Sequence, residues 1–114
     1  MHRDDVSLVD ILTAAGLALD FVRGMNELQF MDDAKTQAAV TRQVEIIGEA
    51  AKRLSGSFKE SHPDIPWRKI AGMRNVLIHT YDNVDLDELW YVIQVSIPEL
   101  ISYIEPLVPE NTDQ

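Results

Sequence analysis

Residues 84–104, "VDLDELWYVIQVSIPELISYI", contain the clearest beginning of a helix in the chain. Asp85 and Glu88 have the spacing of an acidic capping box, and Val84 and Leu89 have the spacing of a hydrophobic staple. Pro98 predicts a kink, because proline removes one helical hydrogen bond and clashes with the preceding turn. Apolar residues recur every three or four positions, as on one face of a helix. They are Leu89, Ile93, Ile97, Leu100, Ile101 and Ile104.

Two segments nearer the N-terminus have the same helical spacing, and no segment shows the sustained period of two that is typical of strands. The first ends before Gly24, a natural helix stop. The second is expected to begin at Asp32 and Asp33 and to have Gly56 as its C-cap. Their apolar stripes are Leu8, Ile11, Leu12, Ala15, Leu19 and Val22, followed by Val40, Val44, Ile47, Ala51 and Leu54.

A third helix is expected after the loop "SFKESHPDI", with Pro66 in its first turn. Its apolar side consists of Trp67, Ile70, Ala71, Leu77 and Ile78. Four amphipathic helices with short connections predict an all-α fold, an antiparallel four-helix bundle. Residues 1–114 are expected to form a single domain, with a loose tail over about residues 107–114.

The composition suits a small protein of the cytoplasm. The chain has 114 residues, 46% of them hydrophobic, which is enough for one core. Cysteine is absent, so neither disulfides nor cysteine-ligated metals are expected. The longest apolar run, "ILTAAGLALDFV", is interrupted by Asp20 and is too short to cross a membrane. We therefore expect a soluble, cytoplasmic protein with no membrane association.

The charge is unevenly distributed along the chain. The net charge is −9, but residues 35–81 contain eight basic and four acidic side chains, whereas residues 82–114 contain none that is basic and eight that are acidic. Phosphate binding requires Lys and Arg, and only the middle third could supply them in number. The same distribution also fits an ordinary solvated surface, and composition does not choose between the two interpretations.

The middle third contains "GMRNVLIHTYDN", residues 72–83, in which Arg74, Asn75, His79 and Tyr81 interrupt an apolar helical pattern. They are either incidental polar residues of a packed helix or a site. On an ideal continuous helix Arg74 and His79 point about 140° apart, so one chain could not readily direct both at one small group. A two-fold homodimer would collect both pairs in one cleft.

The residue types in this motif fit chemistry on RNA. Arginine offers a planar fork of donors for phosphate oxygens, and histidine can transfer a proton near neutral pH. The 2′-hydroxyl of RNA is an internal nucleophile, so no metal or other cofactor is required. A metal site is not expected, because His2, His62 and His79 are scattered and have no ligand spacing.

The second helix offers further candidates. Arg42, Glu45, Glu49 and Arg53 follow helical spacing on one polar side. In one interpretation they form a solvated face with local ion pairs. In the other, Arg42 or Glu49 lines the cleft opposite Arg74.

The segment "RNVLIHTY", residues 74–81, matches the Rx4–6H signature of HEPN domains and, in its extended form, resembles the HepT-like branch. The surrounding segments "EIIGEAAKRL", "IPWRKIAGMRN", "DLDELWYVI" and "IPEL" are also similar to that branch and occur in order. The resemblance therefore covers nearly the whole chain.

This resemblance implies the toxin of a type II- or type VII-like toxin–antitoxin pair, a metal-independent endoribonuclease that works as a homodimer. Arg74 and His79 would be its catalytic pair, and Asn75 would position the RNA. The partner would be a minimal nucleotidyltransferase antitoxin that AMPylates Tyr81. The alternatives are a non-catalytic helical module that docks a nucleotidyltransferase, and a plain dimerising bundle.

Overall fold

The computed structural model describes residues 3–76 and 84–109, and all secondary-structure elements within these ranges are helices. The predicted all-α class is therefore confirmed. The predictions for His79, Tyr81 and most of the C-terminal tail lie outside the described residues. The α-helices are α1 (Arg3–Phe21), α2 (Glu27–Met31), α3 (Ala34–Arg53), α4 (Gly56–Ser61), α5 (Trp67–Ala71), α6 (Leu86–Tyr91) and α7 (Ile97–Ile104).

The two longest helices, α1 and α3, pack against each other, α7 packs against α1, and α5 packs against α3. No helix in the described part of the chain is long and apolar enough to cross a membrane. The predicted apolar stripes of α1, α3 and α6–α7 face one shared core. Their buried members are Leu8, Ile11, Ala15, Val22, Val40, Val44, Ile47, Ala51, Leu54, Leu89, Ile93, Ile97, Leu100 and Ile104.

The predicted helix boundaries at Gly24, Asp33 and Asp85 agree with the structure. Gly24 follows α1 with a φ of 82°, a conformation that favours glycine. The side chain of Asp33 caps α3 by accepting hydrogen bonds from the backbone N–H and the hydroxyl of Thr36, at 3.0 and 2.7 Å. These bonds hold the pKa of Asp33 below its ordinary value. Asp85 caps α6 by accepting from the backbone N–H of Glu88 at 3.1 Å.

Two short helices, α2 and α4, were not predicted. Asn26 and Gln29 form a complete capping box at the start of α2, with hydrogen bonds of 2.8 and 2.9 Å. The prediction of Gly56 as the C-cap of the second helix is wrong, because α3 ends one residue before Leu54 and Gly56 is the first residue of α4. The physical reason is Ser55, whose hydroxyl accepts from the backbone N–H of Phe58 at 3.1 Å and thereby caps a new helix.

The third predicted helix is shorter than expected. Pro66 is the N-cap of α5, the helix ends at Ala71, and the chain continues as a 3₁₀ turn over Met73–Val76. Gly72 is the C-cap, consistent with the low helix propensity of glycine. A continuous helix through Arg74 was therefore a wrong prediction, and the angle of about 140° between Arg74 and His79 loses its premise.

The last helix continues past Pro98 by a local change of winding. A π turn over Val92–Ser96 links α6 to α7, and the N–H of Ile97 donates to the carbonyl of Val92 five residues earlier. Pro98 then lies in the first turn of α7, where a missing N–H is tolerated. The interruption predicted at Pro98 thus takes the form of a π turn immediately before it. A 3₁₀ turn over Glu105–Leu107 follows α7.

A buried carboxylate joins the beginning of α1 to the end of α3. Asp4 accepts hydrogen bonds from the backbone N–H and the hydroxyl of Ser55, at 2.8 and 2.7 Å. Arg53 forms a second link by donating to Asp10 at 3.0 Å. Because the first turn of α1 meets the residues that follow α3, the two helices run antiparallel.

We expect Asp4→Ala to lower the free energy of unfolding by about 1–3 kcal/mol, because it leaves the partly buried donors of Ser55 without this acceptor. Asp5→Ala is the matched control, since it removes the same charge from the same helical turn and should cost about 1 kcal/mol or less. The measurement is urea unfolding followed by circular dichroism. Equal losses in the two variants would contradict a specific role for Asp4.

Candidate functional site

An open pocket of about 290 Å³ lies between α3 and the turn that follows α5. It brings together four of the residues predicted as site candidates from distant parts of the chain, namely Arg42, Glu49, Arg74 and Asn75. His79 and Tyr81 lie outside the described residues, so their positions relative to the pocket stay predictions. The other lining residues are Glu45, Gly48, Lys52 and Ala71.

One polar face of α3 forms a wall of this pocket. Residues 42, 45, 49 and 52 are spaced by three and four positions, so their side chains share one side of the helix. The opposite side carries the buried apolar stripe that packs in the core. Arg53 was predicted on the polar side with Arg42, but it pairs instead with Asp10 of α1 at 3.0 Å.

The closest polar contact in the pocket joins α3 to the motif. The Nε–H of Arg74 donates to Oε2 of Glu45 at 2.7 Å, and Nη1 of Arg42 lies 3.5 Å from Oε1 of the same carboxylate. The side chains of Arg74 and Glu45 are 43% and 27% exposed. Ion pairs of such exposure contribute about 0–1 kcal/mol, so this contact matters more for the direction of Arg74 than for stability.

The sequence interpretation singled out Arg42 and Glu49 and missed the importance of Glu45. Glu45 was recognised only as one member of the polar face. Helical spacing shows which side chains share a face, but it cannot tell which of them contacts a residue 29 positions away. Only the packing of α5 against α3 selects Glu45.

The pocket is more positive than the protein as a whole. Its lining carries three basic side chains, Arg42, Lys52 and Arg74, against two carboxylates, those of Glu45 and Glu49, in a chain whose net charge is −9. A local excess of one positive charge suits a singly charged phosphodiester. Within the described residues, no group of three or more His, Cys, Asp or Glu side chains could hold a metal ion.

Gly48 determines how closely α3 approaches the end of α5. A Cβ atom at this position would lie 2.9 Å from the carbonyl oxygen of Ala71, which is closer than real Cβ atoms come to backbone. Sequence reasoning missed this residue, although an isolated glycine inside a helical pattern often indicates a close packing contact. Gly48 therefore helps to place the motif against the polar face of α3.

Comparison with known families identifies the chain. Residues 11–107 match the family described as "Ribonuclease HepT-like". The chain belongs to the HepT-like ribonuclease family. The resemblance inferred from residues 74–81 and the surrounding segments is thereby confirmed.

Three relatives of this HepT-like chain match it over nearly their whole length. "Probable ribonuclease HepT" of Thermococcus cleftensis is 45% identical over 106 residues, covering 93% of this chain and 94% of the relative. "Putative RNase MJ1380" of Methanocaldococcus jannaschii is 34% identical over 107 residues, covering 92% and 98%. "Putative RNase TTE0752" of Caldanaerobacter subterraneus subsp. tengcongensis is 38% identical over 104 residues, covering 91% and 93%. No solved structure is significantly similar to the chain.

We expect Gly48→Ala to destabilise this HepT-like protein by about 1–3 kcal/mol, because the added methyl group forces α3 and Ala71 apart. The matched control is Gly16→Ala in the middle of α1, where a Cβ would meet nothing within 4 Å. It should stabilise the protein by about 0.5–1 kcal/mol through the higher helix propensity of alanine. Urea unfolding measures both effects. Equal stabilisation by the two substitutions would rule out the close contact at Gly48.

Proposed function

We propose that this protein is a metal-independent endoribonuclease and the toxin of a toxin–antitoxin pair. The observation that carries the proposal is the pocket in which Arg74 and Asn75 of the family motif meet Arg42 of α3. It offers an excess of positive charge in an acidic chain, as an RNA phosphate requires. The ribonuclease names of the Thermococcus and Methanocaldococcus relatives support RNA as the substrate class.

In the proposed reaction the 2′-hydroxyl oxygen attacks the adjacent phosphorus, and the bond from phosphorus to the 5′-oxygen breaks. One proton leaves the 2′-hydroxyl and another reaches the 5′-oxygen, so the products are a 2′,3′-cyclic phosphate and a 5′-hydroxyl. Arg74 stabilises the charge on the non-bridging oxygens. His79 carries a proton transfer, since imidazole titrates near neutral pH. Asn75 positions the substrate by hydrogen bonding.

We further propose that α1, α3, α5 and α6–α7 form a HEPN-like four-helix bundle that works as a homodimer. The antiparallel order of α1 and α3 supports the bundle. The 43% exposure of the Arg74 side chain leaves room for a site that a second protomer completes. In this arrangement the two copies of the motif share one cleft.

The proposed antitoxin is a minimal nucleotidyltransferase that transfers AMP to Tyr81. The acidity of the chain supports a partner with a basic face, because residues 82–114 carry no basic side chain. Tyr81 belongs to the same motif as Arg74, and in this proposal an AMP attached to Tyr81 brings a negative phosphate into the cleft of the arginine. That phosphate would compete with RNA for the same donors.

We expect Arg74→Ala and His79→Ala each to lower RNA cleavage about 10²–10⁴-fold, the usual effect of losing a catalytic acid–base group or charge stabiliser. Cleavage of a fluorescent RNA should continue in EDTA. Lys59→Ala, which removes a basic side chain of α4 outside the pocket, is the control and should cleave like the wild type. Thermal unfolding of both active-site variants should match that of the wild type.

The same variants test whether the two protomers of the homodimer contribute to one shared cleft. Mixed Arg74→Ala and His79→Ala proteins should recover part of the activity, because a heterodimer would contain one intact pair. Loss of cleavage in EDTA with recovery on added metal would contradict the metal-independent mechanism. Wild-type activity in His79→Ala would contradict the role of that histidine.

We expect Tyr81→Phe to keep much of the nuclease activity and to escape modification by the nucleotidyltransferase. Phenylalanine keeps the ring but lacks the hydroxyl that accepts AMP. Intact-protein mass spectrometry after incubation with the partner and ATP measures the added mass. If the Phe variant gains the same mass as the wild type, the acceptor is another residue. If fully modified wild type cleaves RNA at its original rate, phosphate competition is wrong.

A further inference from the structure

Glu45 contacts Arg74 more closely than any other described residue does, yet the proposed reaction gives this carboxylate no role. We propose that Glu45 is a positioning residue, which holds the guanidinium of Arg74 in the orientation that binds the scissile phosphate. The inference rests on the proposed ribonuclease function, and it adds a residue from α3 to that site.

The position of the hydrogen bond on the guanidinium is the first support. Glu45 accepts from Nε–H at 2.7 Å, and that bond restricts the plane of the rigid guanidinium group. The two terminal nitrogens make no hydrogen bond or ion pair within residues 3–76 and 84–109. They carry four of the five N–H donors and can therefore grip two oxygens of a phosphate.

The second support is that Glu45 is itself held in place. Its Oε2 faces Arg74, and its Oε1 lies 3.5 Å from Nη1 of Arg42, so each carboxylate oxygen has its own arginine. Glu45 also lies inside the 20-residue helix α3, and a long packed helix is a rigid support. The side chain is 27% exposed, less than either arginine. Arg74 is thus oriented from a fixed point although it lies on a short turn.

Glu45 could affect the reaction by orienting Arg74 or through its negative charge alone, and these two roles predict opposite effects of removing it. Glu45 is a negative group in a pocket that must accept a negative phosphate, so its charge opposes RNA binding. Removing it should tighten binding or leave it unchanged. A loss of turnover after its removal would therefore reflect the orientation of Arg74 rather than a weaker attraction for RNA.

The kinetic experiment measures kcat and KM on a short fluorescent RNA. We expect Glu45→Ala to lower kcat about 10²-fold, the scale of a misplaced catalytic group, with KM unchanged or lower. Glu45→Gln should recover part of kcat, because the amide oxygen can still accept from Nε–H. The double variant Glu45→Ala with Arg74→Ala should be no slower than Arg74→Ala alone. Glu60→Ala, an exposed carboxylate of α4, is the control and should behave as wild type.

A charge-only comparison is available in the same pocket. Glu49→Ala removes one negative charge from the lining without removing the hydrogen bond to Arg74. It should lower KM without the loss of kcat that we expect for Glu45→Ala. A similar loss of kcat in both variants would overturn the positioning role.

A spectroscopic measurement decides the positioning role even if the protein does not cleave RNA. The ¹⁵Nε–¹Hε signal of Arg74, assigned by its loss in Arg74→Lys, should be protected from solvent exchange in wild type and Glu60→Ala. It should be lost or shifted in Glu45→Ala. An unchanged signal in Glu45→Ala, or wild-type kcat in that variant, would overturn the inference. A wild type that does not cleave RNA but keeps the Glu45-dependent signal would overturn only the proposed ribonuclease function.

Discussion

The buried contact between α1 and α3 is the interaction on which the rest of the structure depends. The apolar stripe of α3 lies against α1 in the shared core, and Asp4 ties the beginning of α1 to Ser55 just beyond α3. Burial of this stripe leaves the opposite, polar side of α3 toward the pocket. The same amphipathic pattern thus stabilises the core and orients Arg42, Glu45 and Glu49.

The close approach of α5 to the polar side of α3 places the motif residues Arg74 and Asn75 in the pocket. Gly48 permits the carbonyl of Ala71 to come within a distance that a side chain would prevent. The chain then leaves α-helical geometry at Gly72 and presents Arg74 from a 3₁₀ turn. A short turn has few backbone hydrogen bonds of its own. The contact with Glu45 on a 20-residue helix compensates for this by giving the arginine a fixed direction.

The charge of the pocket differs in sign from the charge of the whole chain. An acidic protein would repel RNA over most of its surface, and the pocket collects basic side chains where the motif lies. Two carboxylates remain among them, which limits the excess of positive charge. In the proposed function, that balance favours a single phosphodiester at the site over general attachment to nucleic acid.

The predictions from sequence agree with the structure where a feature depends on residues that are close together in the chain. The apolar stripes of α1, α3 and α6–α7 and the caps at Asp33 and Asp85 were predicted correctly, because these features depend on residues within one or two helical turns. Two helix ends were predicted wrongly, that of α3 near Gly56 and that of α5 at Gly72. At the first, the hydroxyl of Ser55 starts a new helix, and at the second, α5 stops where it meets α3.

The sequence by itself therefore determined the helical class, several helix boundaries and the family, since periodicity, capping and the ordered motif are local properties. Only the tertiary structure decided which residue of the polar face meets Arg74. That contact spans 29 positions, and it depends on how closely two helices approach at Gly48. Such a distance is set by side-chain volumes and backbone contacts across the interface between the two helices. The spacing of residues within a single helix carries no information about these contacts.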